Sequence, residues 1–251
     1  MADLREIVSY LDCELRTTEI TDFAGAHNGL QLSNSGRVDR VFAAVDASLA
    51  VIEEASRFPN SLLIVHHGLF WQGIQMIDGP FYKKLKLAMD ADLAIYSSHL
   101  PLDIHPEIGN NVLLARAMGL TGLQPILGKK GSPGGISGKW SGSLTDFCIN
   151  LEQLLGRAPV VCRSGAEVIE NVAVITGGAG SAVRDIAELG MDLFVTGEGS
   201  HWTYIEAEEC GLNTIYAGHY ATETFGVRKL SENIEKKFLI NAKFLPRNGG
   251  L

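Results

Sequence analysis

The sequence predicts an α/β protein of two similar lobes, approximately 1–122 and 123–251, each a mainly parallel sheet flanked by helices. Three observations carry this expectation. Apolar β-rich runs alternate with helical patterns, the two halves repeat one plan, and the unusual polar residues fall just beyond the expected strands. With 251 residues, 46% hydrophobic and 20% charged, the chain can bury a sizeable core and is globular, not disordered.

The elements follow in order. "MADLREIVSYLDCEL" has early acidic residues and apolar positions at helical spacing (Leu4, Ile7, Val8, Leu11), so it reads as a helix and not a signal peptide. "VFAAV" (41–45) is a strand that leads into a helix through "LAVIEEASRF". "LLIV" (62–65) is the next strand, "KKLKLAMDA" a helix, and "LAIY" (93–96) a third strand. "LGKKGSPGGISGKWSG" (127–142), rich in Gly and Ser, is the most linker-like stretch and too short for an inserted domain. In the second half, strand "VAVIT" (172–176) precedes helix "AVRDIAELG". Strand "DLFVT" (192–196), a helix through "YIEAEECG" and strand "NTIYA" (213–217) complete the series. "KKFLINAKFLP" (236–246) ends the chain as an edge strand.

The repeat is visible at the strand ends. "IYSSHLPLD" (95–103) aligns with "IYAGHYATE" (215–223): Ile-Tyr, two small residues, His, three residues, then a carboxylate. "LIVHHG" corresponds in position to "LFVTGE". An ancient duplication explains both matches; the alternative is chance likeness among short β-α units.

Several function classes are disfavoured. No run approaches 18 apolar residues, so no membrane span is expected. A net charge of −8 argues against non-specific nucleic-acid binding, though not against a local pocket for one nucleotide. Cys13, Cys148, Cys162 and Cys210 are scattered without a C-x-x-C pair, which disfavours a disulfide scaffold and a thiolate zinc site and suits a cytoplasmic protein.

In parallel α/β sheets, ligands gather beyond the carboxyl ends of the strands. His66, His67, His99, His201 and His219 fall there, as do Asp46, Asp103, Glu198 and Glu223. A His/carboxylate set without cysteine favours a borderline divalent ion such as Zn, Fe, Mn, Co or Ni, in a metal site between the lobes. Adjacent side chains on a strand point to opposite faces, so His66 and His67 suit two ions, which dinuclear sites hold roughly 3.5–4 Å apart. Glu223, one helical turn from His219, is the candidate bridge, and Asp103 completes a coordination shell from the other lobe. His99 is expected just outside the ligands or against substrate, with Glu198 as a group that orients ligand or water. These two are the catalytic candidates. The glycine-rich turn 177–180 fits neither a nucleotide-triphosphate loop nor G-x-G-x-x-G and reads first as a tight βα turn. Phe70, Trp71 and Trp202 could stack on a base, with packing as the plainer use.

"NGLQL", "VHHGLFW", "SSHLPLDIHPEIGNN", "FVTGEGS" and "AGHYATETFGVRKLSE", in this order over nearly the whole chain, resemble the GTP cyclohydrolase 1 type 2 homologue family of dinuclear metal-centre proteins. The lack of an inserted middle domain is similar to its short bacterial branch. The resemblance implies two divalent ions per chain, held by His66, His67, Asp103, His219 and Glu223, and a ring-shaped homohexamer. It also implies hydrolytic opening of the guanine ring of GTP or a related nucleotide, with formate released. The alternative is a non-enzymatic metal-handling or regulatory ring protein. His201 departs from the acidic residue frequent in that branch, which leaves its role open.

Overall fold

Periodicity and caps place the first helix. In this computed structural model, which describes residues 1–126 and 134–249, the Asp3 carboxylate accepts from the Arg5 and Glu6 amides and starts α1 (Leu4–Leu15). Strand β1 (Ala2–Asp3) precedes it. Then follow β2 (Gly29–Leu32), β3 (Arg37–Val38), β4 (Arg40–Asp46), α2 (Leu49–Ala55), β5 (Ser61–His67), α3 (Gly79–Asp90), β6 (Leu93–Ser97) and α4 (Leu100–Asp103). The second run is α5 (Asn110–Ala117), β7 (Thr121–Ile126), β8 (Gly135–Ser143), α6 (Leu144–Leu155), β9 (Val160–Cys162) and β10 (Val168–Ile175). After these come α7 (Val183–Glu188), β11 (Leu193–Thr196), α8 (His201–Cys210), β12 (Asn213–Tyr216) and α9 (His219–Thr222). Helix α10 (Thr224–Phe238) and β13 (Asn241–Phe244) close the chain. The strands and helices expected from the alternating pattern are present with ends shifted by a few residues, but the last strand is shorter than the 236–246 expected: residues 236–238 end α10 and only Asn241–Phe244 is strand.

By contact the chain divides into two compact units. One comprises Met1–Leu102 with Gly226–Arg247; the other comprises Asp103–Phe225 and resumes at Asn248. In the first, the sheet order is β13-β4-β5-β6-β2, with β13, β4, β5 and β6 parallel and β2 antiparallel at the edge. In the second it is β7-β8-β10-β11-β12-β9, with β10, β11 and β12 parallel and the others antiparallel. Each unit therefore carries a helix, an edge strand, and three parallel strands whose last lies beside that edge strand. Then comes a short helix opened by or just following a histidine. The repeat read from "IYSSH" and "IYAGH" extends to this whole plan. The units differ in the neighbour of their first parallel strand: β13 runs parallel to β4, whereas β8 runs antiparallel to β10.

The central strands are buried on both faces, as parallel strands between helices should be. Phe42, Leu63, Val65 and Ile95 pack with Val51, Ile52 and Ala88 in the first unit. Val172, Val174 and Val195 pack with Phe147 and Leu151 in the second, and Ala173 and Phe194 with Val183 and Ile186 on the other side.

The linker expectation for 127–142 needs correction over its second half. Residues 127–133 lie outside the described residues, but Gly135–Ser143 is β8, paired to β7 and β10. Its glycines mark close packing, not looseness. A β-carbon at Gly135 would come within 2.5 Å of the Ile175 side chain, and one at Gly138 within 2.7 Å of Leu123. Among the described residues, no helix is long and apolar enough to cross a membrane.

Candidate metal centre

In the first unit, β4, β5 and β6 deliver their carboxyl ends to one place. His67 is the last residue of β5 and pairs in register with Asp46, the last of β4. Its Nδ1 lies 2.9 Å from Asp46 Oδ1. His66, fully buried, has Nδ1 2.9 Å from the Ser98 carbonyl oxygen. His99 Nδ1 lies 2.8 Å from Asp22 Oδ1, and its amide donates to Asn28 Oδ1 at 2.7 Å. Carbonyls and carboxylates only accept, so each Nδ1 donates and each ring would coordinate a metal through Nε2. The three histidines can offer ring nitrogens that all lie within 4.8 Å of one another.

The rings of His66 and His67 are 4.7 Å apart, centre to centre. Pleat alternation had suggested opposite faces. At the last residues of the strand that alternation gives way to the acceptors, Ser98 O for one ring and Asp46 for the other, and both rings turn to the same side. The opposite-faces argument for two ions therefore does not hold.

Two loops brace this cluster. Gln31 Oε1 accepts from the Leu69 amide at 2.6 Å, while its Nε2 donates to the carbonyls of Ala26 and His27. A β-carbon at Gly68 would meet the Gln31 amide at 2.3 Å, so the glycine after the two histidines permits the clamp. Trp71, on the clamped loop, meets the His99 ring edge-on at 4.8 Å and the His67 ring at 5.6 Å. Phe70 packs against His27 and Phe81.

The second unit repeats the arrangement with carboxylates. His219 Nδ1 lies 2.9 Å from Glu198 Oε1, and its Nε2 lies 3.1 Å from Glu223 Oε1. Burial disfavours the imidazolium, yet the hydrogen bonds and charges of Glu223 and Glu198 outweigh it and lift the His219 pKa to about 9. The two carboxylates thus favour positive charge at His219. Asp103 Oδ1 accepts from Asn110 Nδ2 at 2.8 Å and lies 3.2 Å from Thr176 Oγ1. Asn111 Oδ1 accepts the Thr176 amide at 2.8 Å. Asp103 and Glu223 can offer carboxylate oxygens within 4.8 Å of one another.

The turn at 177–180 is the tight βα turn expected. Gly177 has φ +70°, and its carbonyl accepts from the Gly197 and Glu198 amides. Its other task was not anticipated, as Glu223 packs into the space a side chain would fill.

The candidate residues therefore fall into two sets: His66, His67 and His99 in the first unit, Asp103, His219, Glu223 and Glu198 in the second. Glu198 orients His219 and is half-exposed. His201 begins α8 with an exposed side chain, and Trp202 is also exposed. Sequence reasoning missed Asp22, Asn28, Gln31, Asn110, Asn111 and Thr176. Asn28 and Gln31 lie in "NGLQL", and Asn110 and Asn111 in "EIGNN", so the motifs were visible without their task. Asp22 carried no such signal. The donor set of imidazoles and carboxylates, with oxygen acceptors on each Nδ1, fits a borderline divalent ion. The four cysteines are free thiols placed elsewhere.

Comparison with known proteins agrees over the full length. A family model described as Duf34/NIF3 (NGG1p interacting factor 3) matches residues 2–248. A Deinococcus radiodurans protein named GTP cyclohydrolase 1 type 2 homolog is 40% identical over 248 residues, 98% of this chain and 94% of its own. Among solved structures, the protein ybgI, described as of unknown function, superposes with a TM-score of 0.91 at 35% identity, covering 100% of both chains. The protein TTHA1606 from Thermus thermophilus gives 0.89 at 38% identity, again over 100% of both.

Proposed function

The chain belongs to the Duf34/NIF3 family, and from that premise we propose that it binds two divalent metal ions and hydrolyses GTP or a related nucleotide. The observation that carries the metal reading is the common orientation of four imidazoles. His66, His67, His99 and His219 each give Nδ1 to an oxygen acceptor, which favours Nε2 as the coordinating atom.

The ligands proposed are His66, His67, Asp103, His219 and Glu223, with Zn, Fe, Mn, Co or Ni as the ion. Glu223 would be the bridging ligand, and its charge and that of Asp103 would offset the cations. A divalent ion, when bound, supplies a Lewis acid and lowers the pKa of coordinated water. The chain's own residues do the rest. His99, held at Nδ1, moves a proton at Nε2; Glu198 orients His219 and is the second candidate for proton handling. The GTP assignment draws on the name its relatives carry. A cytoplasmic homohexamer is the proposed state; the free thiols suit a reducing compartment.

The competing reading keeps the ligands and drops the reaction: a metal-handling or regulatory ring protein. Metal analysis after reconstitution, with formate detection on GTP, separates them. Two ions per chain with formate release supports the hydrolase. Full metallation without turnover on GTP or other nucleotides supports the alternative, and a ceiling of one ion per chain defeats the dinuclear reading.

A further inference from the structure

One buried charge has no part in that reading. The Asp22 carboxyl, 6% exposed, is met by donors on both oxygens. Oδ1 accepts from His99 Nδ1 at 2.8 Å and from the Phe23 amide at 2.6 Å. Oδ2 accepts from Asn28 Nδ2 at 2.8 Å and from the Leu100 amide at 2.9 Å. Asn28 in turn accepts the His99 amide. The same two side chains thus hold both the backbone and the ring of His99, itself 8% exposed. Burial pushes the Asp22 carboxyl up, but the His99 hydrogen bond and charge, with Asn28 and the Leu100 amide, outweigh it and leave it below the usual range.

A carboxylate is a costly way to fix a ring. Burying one demands strong compensation from nearby donors, and His66 shows that a backbone carbonyl can hold an imidazole in this sheet. His67 and His219 also meet carboxylates at Nδ1, but those of Asp46 and Glu198 are 47% and 45% exposed, so of the three only Asp22 is a buried charge devoted to one ring. It suits a ring whose proton must stay on Nδ1, leaving Nε2 bare. Phe23 and Trp71 pack beside the same ring, at 5.8 Å and 4.8 Å between centres, and limit its tilt.

We propose that Asp22 is the positioning residue of His99: it takes the Nδ1–H bond and fixes the ring in the tautomer whose Nε2 carries no proton. Asp22 touches no reacting atom and acts only through His99. The proposal rests on the reading that His99 handles protons, but the tautomer can be read without metal or substrate.

Asp22→Asn tests it with almost no change of volume. An amide has one acceptor oxygen. On the Oδ2 side it keeps the Asn28 amide and the Leu100 N–H and gives up only the Phe23 amide, whereas on the Oδ1 side it gives up both of the former. The new NH₂ then faces His99 Nδ1, which must become an acceptor, so the proton moves to Nε2. The equivalent change in a serine protease triad gives the wrong tautomer and a loss of about 10⁴ in kcat.

The measurement is a long-range ¹H–¹⁵N spectrum of full-length, chelator-treated protein labelled at histidine. It is recorded at pH about 9, above the ordinary imidazole range. Signals of His99 are identified by their loss in His99→Gln. The wild type should show Nδ1 protonated and Nε2 bare, and Asp22→Asn the reverse. Because the wild-type spectrum needs no Asp22 variant, a poorly folded variant cannot shelter the proposal. A wild-type His99 with its proton on Nε2 overturns it, and so does an unchanged tautomer in Asp22→Asn. In reconstituted protein, zinc content should equal that of the wild type, while formate release from GTP falls ~10²–10⁴-fold with KM little changed. A wild type that turns over alongside an equally fast Asp22→Asn also overturns it. If the tautomer reverses but no protein releases formate, the positioning role stands and the hydrolase reading fails.

Discussion

Glu223 occupies the space that Gly177 leaves open: a β-carbon on Gly177 would lie 2.1 Å from Glu223 Oε1. The glycine also has φ +70°, where an L side chain is strained by roughly 1–2 kcal/mol. Gly177→Ala should therefore destabilise the protein and push Glu223 out of reach of His219, weakening metal binding. Gly178→Ala is the control. Its β-carbon would meet His219 and Glu198 only at 3.6–3.8 Å, ordinary contact. Denaturant unfolding and zinc titration calorimetry should find the first variant impaired and the second close to wild type. Equal behaviour of the two would remove the link between this glycine and the carboxylate.

The His219 imidazolium makes the metal-free protein sensitive to pH. Its pKa is about 9 in the fold against an ordinary 6.5, so the charged form is favoured by folding. The resulting stability is fully present below pH 6.5 and is lost as pH rises through 9. In chelator-treated samples, the stability advantage of wild type over His219→Asn should shrink from pH 6 to pH 9.5. Metal competes with that proton, so zinc affinity should rise over the same window, with proton release. A pH-independent difference between the two proteins would contradict this.

The proposed assembly draws on uncovered apolar surface. Ile74, Met76 and Ile77, on the segment before α3, are 107%, 78% and 62% exposed. Strand β13 also lies at a sheet edge, with a backbone face that invites pairing. A closed oligomer, most plainly the hexamer proposed, would cover such surface. Light scattering at micromolar concentration should give a multiple of the 27.1 kDa chain. A monomeric mass would refute it.

The parallel strands were legible because double-sided burial writes itself as short unbroken apolar runs: "LLIV", "LAIY", "LFVT". The antiparallel strands were not. β2, β8 and β9 alternate weakly or carry glycines, and β8 looked like a linker because its small residues fit against Leu120, Leu123 and Ile175. Division of the chain was only partly legible. Nothing local in "VRKLSENIEKKF" says that the last helix belongs with the first hundred residues. At the site, the histidines and carboxylates stood out by type at strand ends, whereas Asp22 sits 77 residues from His99 in an irregular segment. Only the folded chain brings them within a hydrogen bond.

The sharpest division between enzyme and metal carrier lies in two variants, Glu223→Gln and His99→Asn. Glu223 faces His219 Nε2 and is proposed as bridge and counter-charge. Its amide analogue keeps the shape and loses the charge, so zinc affinity should fall at least about tenfold, and turnover with it. His99 is different. Its ring lies 4.9 Å from that of His66 and 5.7 Å from that of His67, near enough to join a cation but outside the proposed ligands. If it handles protons, His99→Asn should retain both ions and slow turnover ~10²–10⁴-fold. If instead it is a ligand, metal content falls first and activity follows it. Zinc stoichiometry and formate release, measured on the same reconstituted samples, distinguish these cases. A carrier has no use for a residue that binds no metal yet controls a rate, so full metallation with a lost rate would favour the hydrolase.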